Sequence, residues 1–167
     1  MKIAILAGAA WYRGSRVPVV DLDGPQVVAV LPLRAESGNP ADDAIGAGVA
    51  DVLASALSKV SGITVLPRSA TLSGAGGAET PIEVAKRLGA SLVVEGRVQR
   101  AGDRLRLVAQ LMRGDTGAVR WSDTYEATAS TWFDVQPRIA EDLARALRPD
   151  ISAVDRRVAV VLDLKTP

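Results

Sequence analysis

Between Ser91 and Trp121 the chain reads SLVVEGRVQRAGDRLRLVAQLMRGDTGAVRW, and few folds can hold such a run. Leu92–Gln99 and Arg104–Arg113 each have the composition of a strand, with Ala101-Gly102-Asp103 as the hairpin loop between them. Leu105, Leu107, Ala109 and Leu111 alternate with Arg104, Arg106, Val108 and Gln110, so one face is apolar and the other mostly polar. Gly114–Gly117 then turns the chain, through Asp115-Thr116-Gly117, into a third strand, Val119–Glu126. The run predicts an antiparallel meander with one face in a core and one in water.

The residues before it have a different grammar. Gln26–Leu33, QVVAVLPL, is continuously apolar, the pattern of a strand buried on both faces, and Pro32 ends its regular pairing. Ser37-Gly38-Asn39-Pro40 is a turn cluster. Asp42–Lys59 predicts a helix, with Ile45, Val49, Val52, Leu53, Ala56, Leu57 and Val60 on one stripe and Asp42 and Asp43 in the first turn. Ser61-Gly62 stops it, and Ile63–Leu66 is a short strand. Ser69–Thr80 reads as a small-residue loop. Thr80-Pro81-Ile82-Glu83 then opens a helix with a capping box, and Gly89 closes it. After the meander, Trp132–Leu147 forms a last helix whose stripe is Phe133, Val135, Ile139, Leu143 and Leu147.

The order is β-α-β-α-β-β-β-α. It predicts an α/β fold of α+β character: a mixed sheet of about five strands with helices packed on it. Residues 1–25 form an apolar N-terminal segment and linker, 26–148 the domain, and 149–167 a C-terminal extension. Within that extension Arg156–Leu164, RRVAVVLDL, is an extra strand-like segment that needs an edge to pair with, in its own domain or another chain.

Composition excludes more than it suggests. The chain has no Cys and no His. That removes disulfides, thiolate nucleophiles and thiolate metal sites, and also the commonest general base and metal ligand. A formal net charge of +1 over 167 residues lacks the concentrated positive surface of a general nucleic-acid binder. Met1–Tyr12, MKIAILAGAAWY, is apolar from Ile3 to Trp11, short of the roughly 20 residues of a helical membrane span. Two readings fit it: the outer end of a truncated or divergent membrane anchor, or a short apolar terminus that packs on the domain or a neighbour.

No motif carries catalysis. Gly74-Ala75-Gly76-Gly77 lacks the Lys-Ser/Thr pair of a phosphate-binding loop, and Pro81 removes an amide donor at the next helix start. Ser69 and Thr71 have no His to activate them. Asp21, Asp23, Asp42 and Asp43 do not have the spacing of a calcium loop. Neither a cofactor nor a metal is expected. What remains are surfaces for a protein partner. Ser69 and Thr71 lie in the loop after the second strand. Glu95 sits beside Arg97, with Arg104 and Arg106 across the hairpin, and is either a structural ion pair or a contact for a basic partner. Trp121 and Tyr125 share one strand face, either as core packing or as an aromatic contact patch. Val158, Val160 and Leu162 alternate along the C-terminal strand-like segment.

An ordered set of pieces between Gln26 and Leu147 resembles a known family. These are Val28-Ala29-Val30-Leu31-Pro32, Gly48–Leu57 leading to Ile63-Thr64-Val65-Leu66-Pro67-Arg68-Ser69, and Ala85–Gly89 with Leu92-Val93-Val94-Glu95-Gly96-Arg97-Val98. They continue through Arg104-Leu105-Arg106, Gln110-Leu111, Thr116-Gly117, Trp121-Ser122, Tyr125, Phe133, Gln136 and Ile139-Ala140. The family is that of domains similar to the amino-terminal domain of the periplasmic protein TolB, found in bacterial signalling proteins between a transmembrane helix and tetratricopeptide repeats. The resemblance implies a non-enzymatic protein-interaction or sensor-linked module of a bacterial envelope or signalling protein, periplasmic or otherwise extracytoplasmic, with a membrane tether if the N-terminal segment is an anchor. Its partners would be proteins, copies of itself included, and not nucleic acid. The alternative is a structural subunit of a homo-oligomeric or filamentous assembly that uses the N-terminal segment and the C-terminal strand.

Overall fold

The computed structural model describes residues 25–72 and 79–147. Its strands are β1 (Gln26–Val30), β2 (Arg34–Ala35), β3 (Ile63–Val65), β4 (Leu92–Ala101), β5 (Arg104–Arg113) and β6 (Val119–Thr128). Its helices are α1 (Pro40–Leu57), α2 (Arg68–Leu72), α3 (Pro81–Leu88) and α4 (Trp132–Leu147). The strands form one mixed sheet in the order β3-β1-β4-β5-β6, with β2 beside β4. β1 runs parallel to β3 and β4, β2 is parallel to β4, and β5 is antiparallel to both β4 and β6.

The expected mixed α/β architecture is present, with two short additions. Pro32 interrupts pairing as expected, but the chain rejoins β4 at Arg34 and Ala35 to make β2. Ser69–Leu72, the start of the expected loop, form with Arg68 one short helix, α2. The loop's residues 73–78, the N-terminal segment and the C-terminal strand-like segment lie outside the described residues.

Capping chemistry sets the helix starts. The Asn39 side chain accepts from the Ala41 amide at 2.9 Å, with Pro40 at the first helical position of α1. At α3 the capping box forms: the Glu83 amide donates to Thr80, and the Thr80 amide donates to the Glu83 carboxylate at 2.7 Å. Gly89 closes α3 at φ 66°, a left-handed conformation that costs a glycine nothing.

α1 and α4 pack on one face of the sheet. Their Val49, Leu53, Leu57, Ile139 and Leu143 meet Val28, Val30, Leu92, Val94, Leu107 and Leu111 in the larger core. α1 lies so close to the sheet that a Cβ on Gly46 would collide with the Leu33 carbonyl. α2 and α3 cover the opposite face over β1, the start of β4 and the end of β5, where Ala29, Ala85, Ala90, Val93 and Met112 form a small second core.

The stripe of α4 needs a correction. Phe133 is 76% exposed and Trp132 is buried in its place. The inward side of the helix is Trp132, Gln136, Ile139, Ala140, Leu143 and Leu147, and Phe133 stands about 100° round from Trp132. On α1, Val52 also turns outward, at 37% exposure.

Candidate interaction surface

Because α3 stops over the start of β4, the rest of that sheet face is open. Arg97 and Gln99 of β4, Arg104 and Arg106 of β5, and Ser122, Thr124 and Glu126 of β6 are exposed there. Its charges are largely paired. Glu36 receives Arg97 at 3.3 Å and Gln99 at 2.6 Å, and Arg106 lies 3.6 Å from Glu126. Glu95 departs from the ion-pair expectation. The register sets it opposite Gln110, while Arg104 and Arg106 face Ala101 and Gln99. Half-buried Glu95 has no ion pair among the described residues.

At the turn end of the β4–β5 hairpin the surface dips into a groove of about 750 Å³ between Ser37, Arg100, Arg104, Glu126 and Thr131. Arg100 is committed there. Its Nε donates to the buried Asp42 at 2.5 Å, and the Ser37 hydroxyl donates to the same carboxylate at 2.8 Å. The hydrogen bond from Arg100, then that from Ser37, holds the Asp42 carboxyl below its usual value despite burial. With the Ala35 amide donating to Asp43 at 3.2 Å, this ties the start of α1 to β2 and β4. A second void, between α1 and the chain after β1, is about 10 Å³ and has room for one water at most.

The remaining residues singled out in the sequence do not converge. Ser69 is exposed on α2, but Thr71 is buried and its hydroxyl donates to the Arg68 carbonyl at 2.9 Å, so it offers no loop surface. An Arg68–Asp51 ion pair anchors α2 to α1. Trp121 and Tyr125 point together, as their spacing requires, but toward α4. Tyr125 is buried, and its hydroxyl donates to Asp142 at 3.0 Å beneath the Arg138 guanidinium, so it gives a partner almost no ring surface. Burial, reinforced by Asp142, pushes its phenol well above the ordinary value. Trp121 is half-buried against the same core. Val158, Val160 and Leu162 lie outside the described residues.

One feature escaped the sequence reading: which strands end the sheet. One edge is β3, three residues long. The other, among the described residues, is β6, ten residues long and without a strand on its outer side. Alternation identifies a strand but not its neighbours. Among the described residues, no group of three or more carboxylates could hold a metal ion, and no helix is long and apolar enough to cross a membrane.

Known proteins share this arrangement. Residues 25–142 match the second domain of HilA/YgeH-like transcriptional regulators. The chain belongs to this family. It is also 32% identical over 136 residues to a putative adenylate cyclase 3 of Rhizobium meliloti, covering 81% of this chain and 23% of that protein. In structure it is similar to TolB from Acinetobacter baumannii, with a TM-score of 0.53 and 14% identity over 76% of this chain and 29% of TolB. It is equally similar to the lipoprotein GNA1162 from Neisseria meningitidis, with a TM-score of 0.53 and 18% identity over 74% of this chain and 99% of that one. The expected TolB-like fold is thus present in this HilA/YgeH-type domain. The chain spans about a quarter of the length of the cyclase and of TolB.

Proposed function

We propose that this HilA/YgeH-type domain is a non-enzymatic protein-recognition module of a bacterial signalling protein, working outside the cytoplasm next to a membrane. The observation that carries the reading is the company the domain keeps. It matches the second domain of transcriptional regulators and also 23% of a putative adenylate cyclase. Proteins of such different outputs share it, so the output chemistry belongs to other domains and this one supplies recognition.

The residues support this division of labour. With no His or Cys in the chain, nucleophile activation would fall to carboxylates and Lys. The acids best placed for it, Asp42 and Asp142, are committed to Arg100 and Tyr125. The hairpin groove is open and its arginines largely paired, which suits a polar contact better than an enclosed small-molecule site. The apolar Ile3–Trp11 segment supports placement beside a membrane. Ser69, the open sheet face with Glu95, and the C-terminal run with Val158, Val160 and Leu162 are the recognition elements we assign.

The test uses the 167-residue chain in two assays. Purified chain is expected to show no cyclase, phosphatase or esterase turnover above buffer. Turnover that co-purifies with the protein overturns the non-enzymatic reading. Photo-crosslinkers at Gln110 on the open face and, as a control, at Lys59 should differ: the Gln110 adduct is discrete and competed away by excess unlabelled chain. Equal, non-competable labelling at both positions overturns recognition by this face.

A further inference from the structure

We propose that two copies of the chain join edge to edge through β6, antiparallel about a twofold axis at Thr124, into one continuous sheet. The proposal rests on the protein-recognition reading and names the partner.

Among the described residues, the ten of β6 have no strand on their outer side. The Ala129 amide donates to the Asp103 carbonyl at 2.9 Å, in register with Arg104 opposite Thr128. Antiparallel alternation then turns the backbone groups of Trp121, Asp123, Tyr125 and Ala127 toward β5, and those of Ser122, Thr124, Glu126 and Thr128 outward. Two outward amides already have acceptors. Thr124 donates to the Asp123 carboxylate at 2.8 Å and Thr128 to the Thr131 hydroxyl at 3.1 Å. The Thr128 carbonyl accepts from the Thr131 amide at 3.1 Å. What stays open is the centre of the edge: both backbone groups of Ser122 and Glu126, and the Thr124 carbonyl.

Handedness disfavours a parallel strand placed outside β6 by a crossover through α4. β1 and β6 run in the same direction, and α1 and α4 lie on the same face. The connection from β1 through α1 steps to β3, away from β4. A connection of the same hand from β6 through α4 steps back over the sheet and not outward past β6, and crossovers keep one hand.

A second copy fits the edge in one register. Centred on Thr124, Ser122 faces Glu126 of the second copy, Asp123 faces its Tyr125, and Trp121 faces its Ala127. No like charges meet, and half-buried Trp121 and Ala127 complete each other's cover. Centred on Asp123, two carboxylates would oppose each other. Centred on Tyr125, Ser122 would face Thr128, whose groups are taken, and only the two Thr124–Glu126 pairs would remain, against three pairs in the Thr124 register. The axis is perpendicular to the sheet, so the two α4 helices come side by side. The flank of α4 on that side carries half-buried Val135 and Ala146 beside Asp142, which reaches β6 at Tyr125. The Asp123 carboxylate must release the Thr124 amide first, so it acts as a guard that keeps the pairing reversible.

The test is sedimentation equilibrium of the whole 167-residue chain combined with crosslinking. Wild type should show a concentration-dependent monomer–dimer equilibrium, and Asp123→Ala, which frees the Thr124 amide, should shift it toward dimer. Thr124→Pro should be monomeric with unchanged circular dichroism, because that amide faces away from β5. The chain has no Cys, so single thiols report register cleanly. Thr124→Cys should oxidise to a disulfide-linked dimer, since the paired Cα atoms would lie about 5.5 Å apart. Ser122→Cys should not, because the two thiols would be roughly 13 Å apart along the strands. A chain that stays monomeric at every soluble concentration, with no Thr124→Cys crosslink, overturns the proposal. So does a dimer in which both thiols crosslink equally, or one that Thr124→Pro leaves intact. A competable Gln110 adduct in a monomeric chain would keep the recognition reading while sinking self-pairing.

Discussion

The two ends of the sheet are built to different standards. At the β3–β1–β4 end both faces are covered: Val28 and Val30 lie under α1, while Ala29 and Val93 lie under α3. At the β5–β6 end only the α4 side is covered, and the other face carries Arg104, Arg106, Ser122, Thr124 and Glu126 in water. The doubly covered end places the helices and tolerates little change. The singly covered end leaves a sheet face and a long edge exposed, and contact with another protein would be made there. The contrast can be broken at either end.

The largest effect is expected at Gly46. A valine there would drive its side chain into the Leu33 carbonyl, and α1 has no room to retreat because Val49 and Leu53 are fully buried behind it. Gly46→Val should destabilise by about 3 kcal/mol or more in urea unfolding, the upper range for overpacking against a fixed backbone. An unchanged midpoint would show that the covered end is softer than its packing implies.

Tyr125 is where the open end is stitched to α4. Tyr125→Phe keeps the ring but leaves Asp142 without its phenol donor, and should cost about 1 kcal/mol. In an absorbance titration the Tyr125 phenolate signal should be delayed until the domain unfolds. The folded value is raised, so the neutral phenol's contribution is complete below the ordinary value of 10.0 and is lost as pH climbs above it.

Asp42 gives the acid counterpart. Its folded value is lowered, by the Arg100 hydrogen bond first, so its contribution is present above the ordinary 3.8 and lost as pH falls through the folded value. The stability gap between wild type and Asp42→Asn should be full above about pH 5 and close progressively below 3.8. A gap that is constant with pH would mean that the carboxylate's charge contributes nothing and only its shape matters.

How far these features were legible follows from the range over which each is determined. The boundaries of β5, Arg104–Arg113, and α4, Trp132–Leu147, are local: alternation, a two-residue turn and a helix stop set them, and the structure agrees with the reading. β2 is two residues with no pattern of their own, and it exists because β4 is long enough to pair beyond the end of β1. Phe133 and Trp132 were exchanged because two adjacent large side chains at a helix start fit either stripe; packing against β6 and α1 decided it. Glu95 was matched to the wrong residues because one hairpin register sets five arginine positions at once. The identity of the edge strand depends on the whole sheet, which is why the candidate surface was the least legible part.

The smallest effects are expected on the open face, and their smallness is the point. Arg106 and Glu126 are both more than half exposed and 3.6 Å apart, a geometry in which attraction barely exceeds the entropy of holding two long side chains. Arg106→Ala should change stability by no more than about 0.5 kcal/mol. The same limit applies to Phe133→Ser on α4, away from that face, because the ring is 76% exposed and buries little on folding. If Arg106→Ala unfolds at the wild-type urea midpoint yet alters the Gln110 crosslinking pattern, that side chain serves contact and not folding. If it costs as much as Tyr125→Phe, the open face is part of the stabilising structure, and the division between the two ends of the sheet fails.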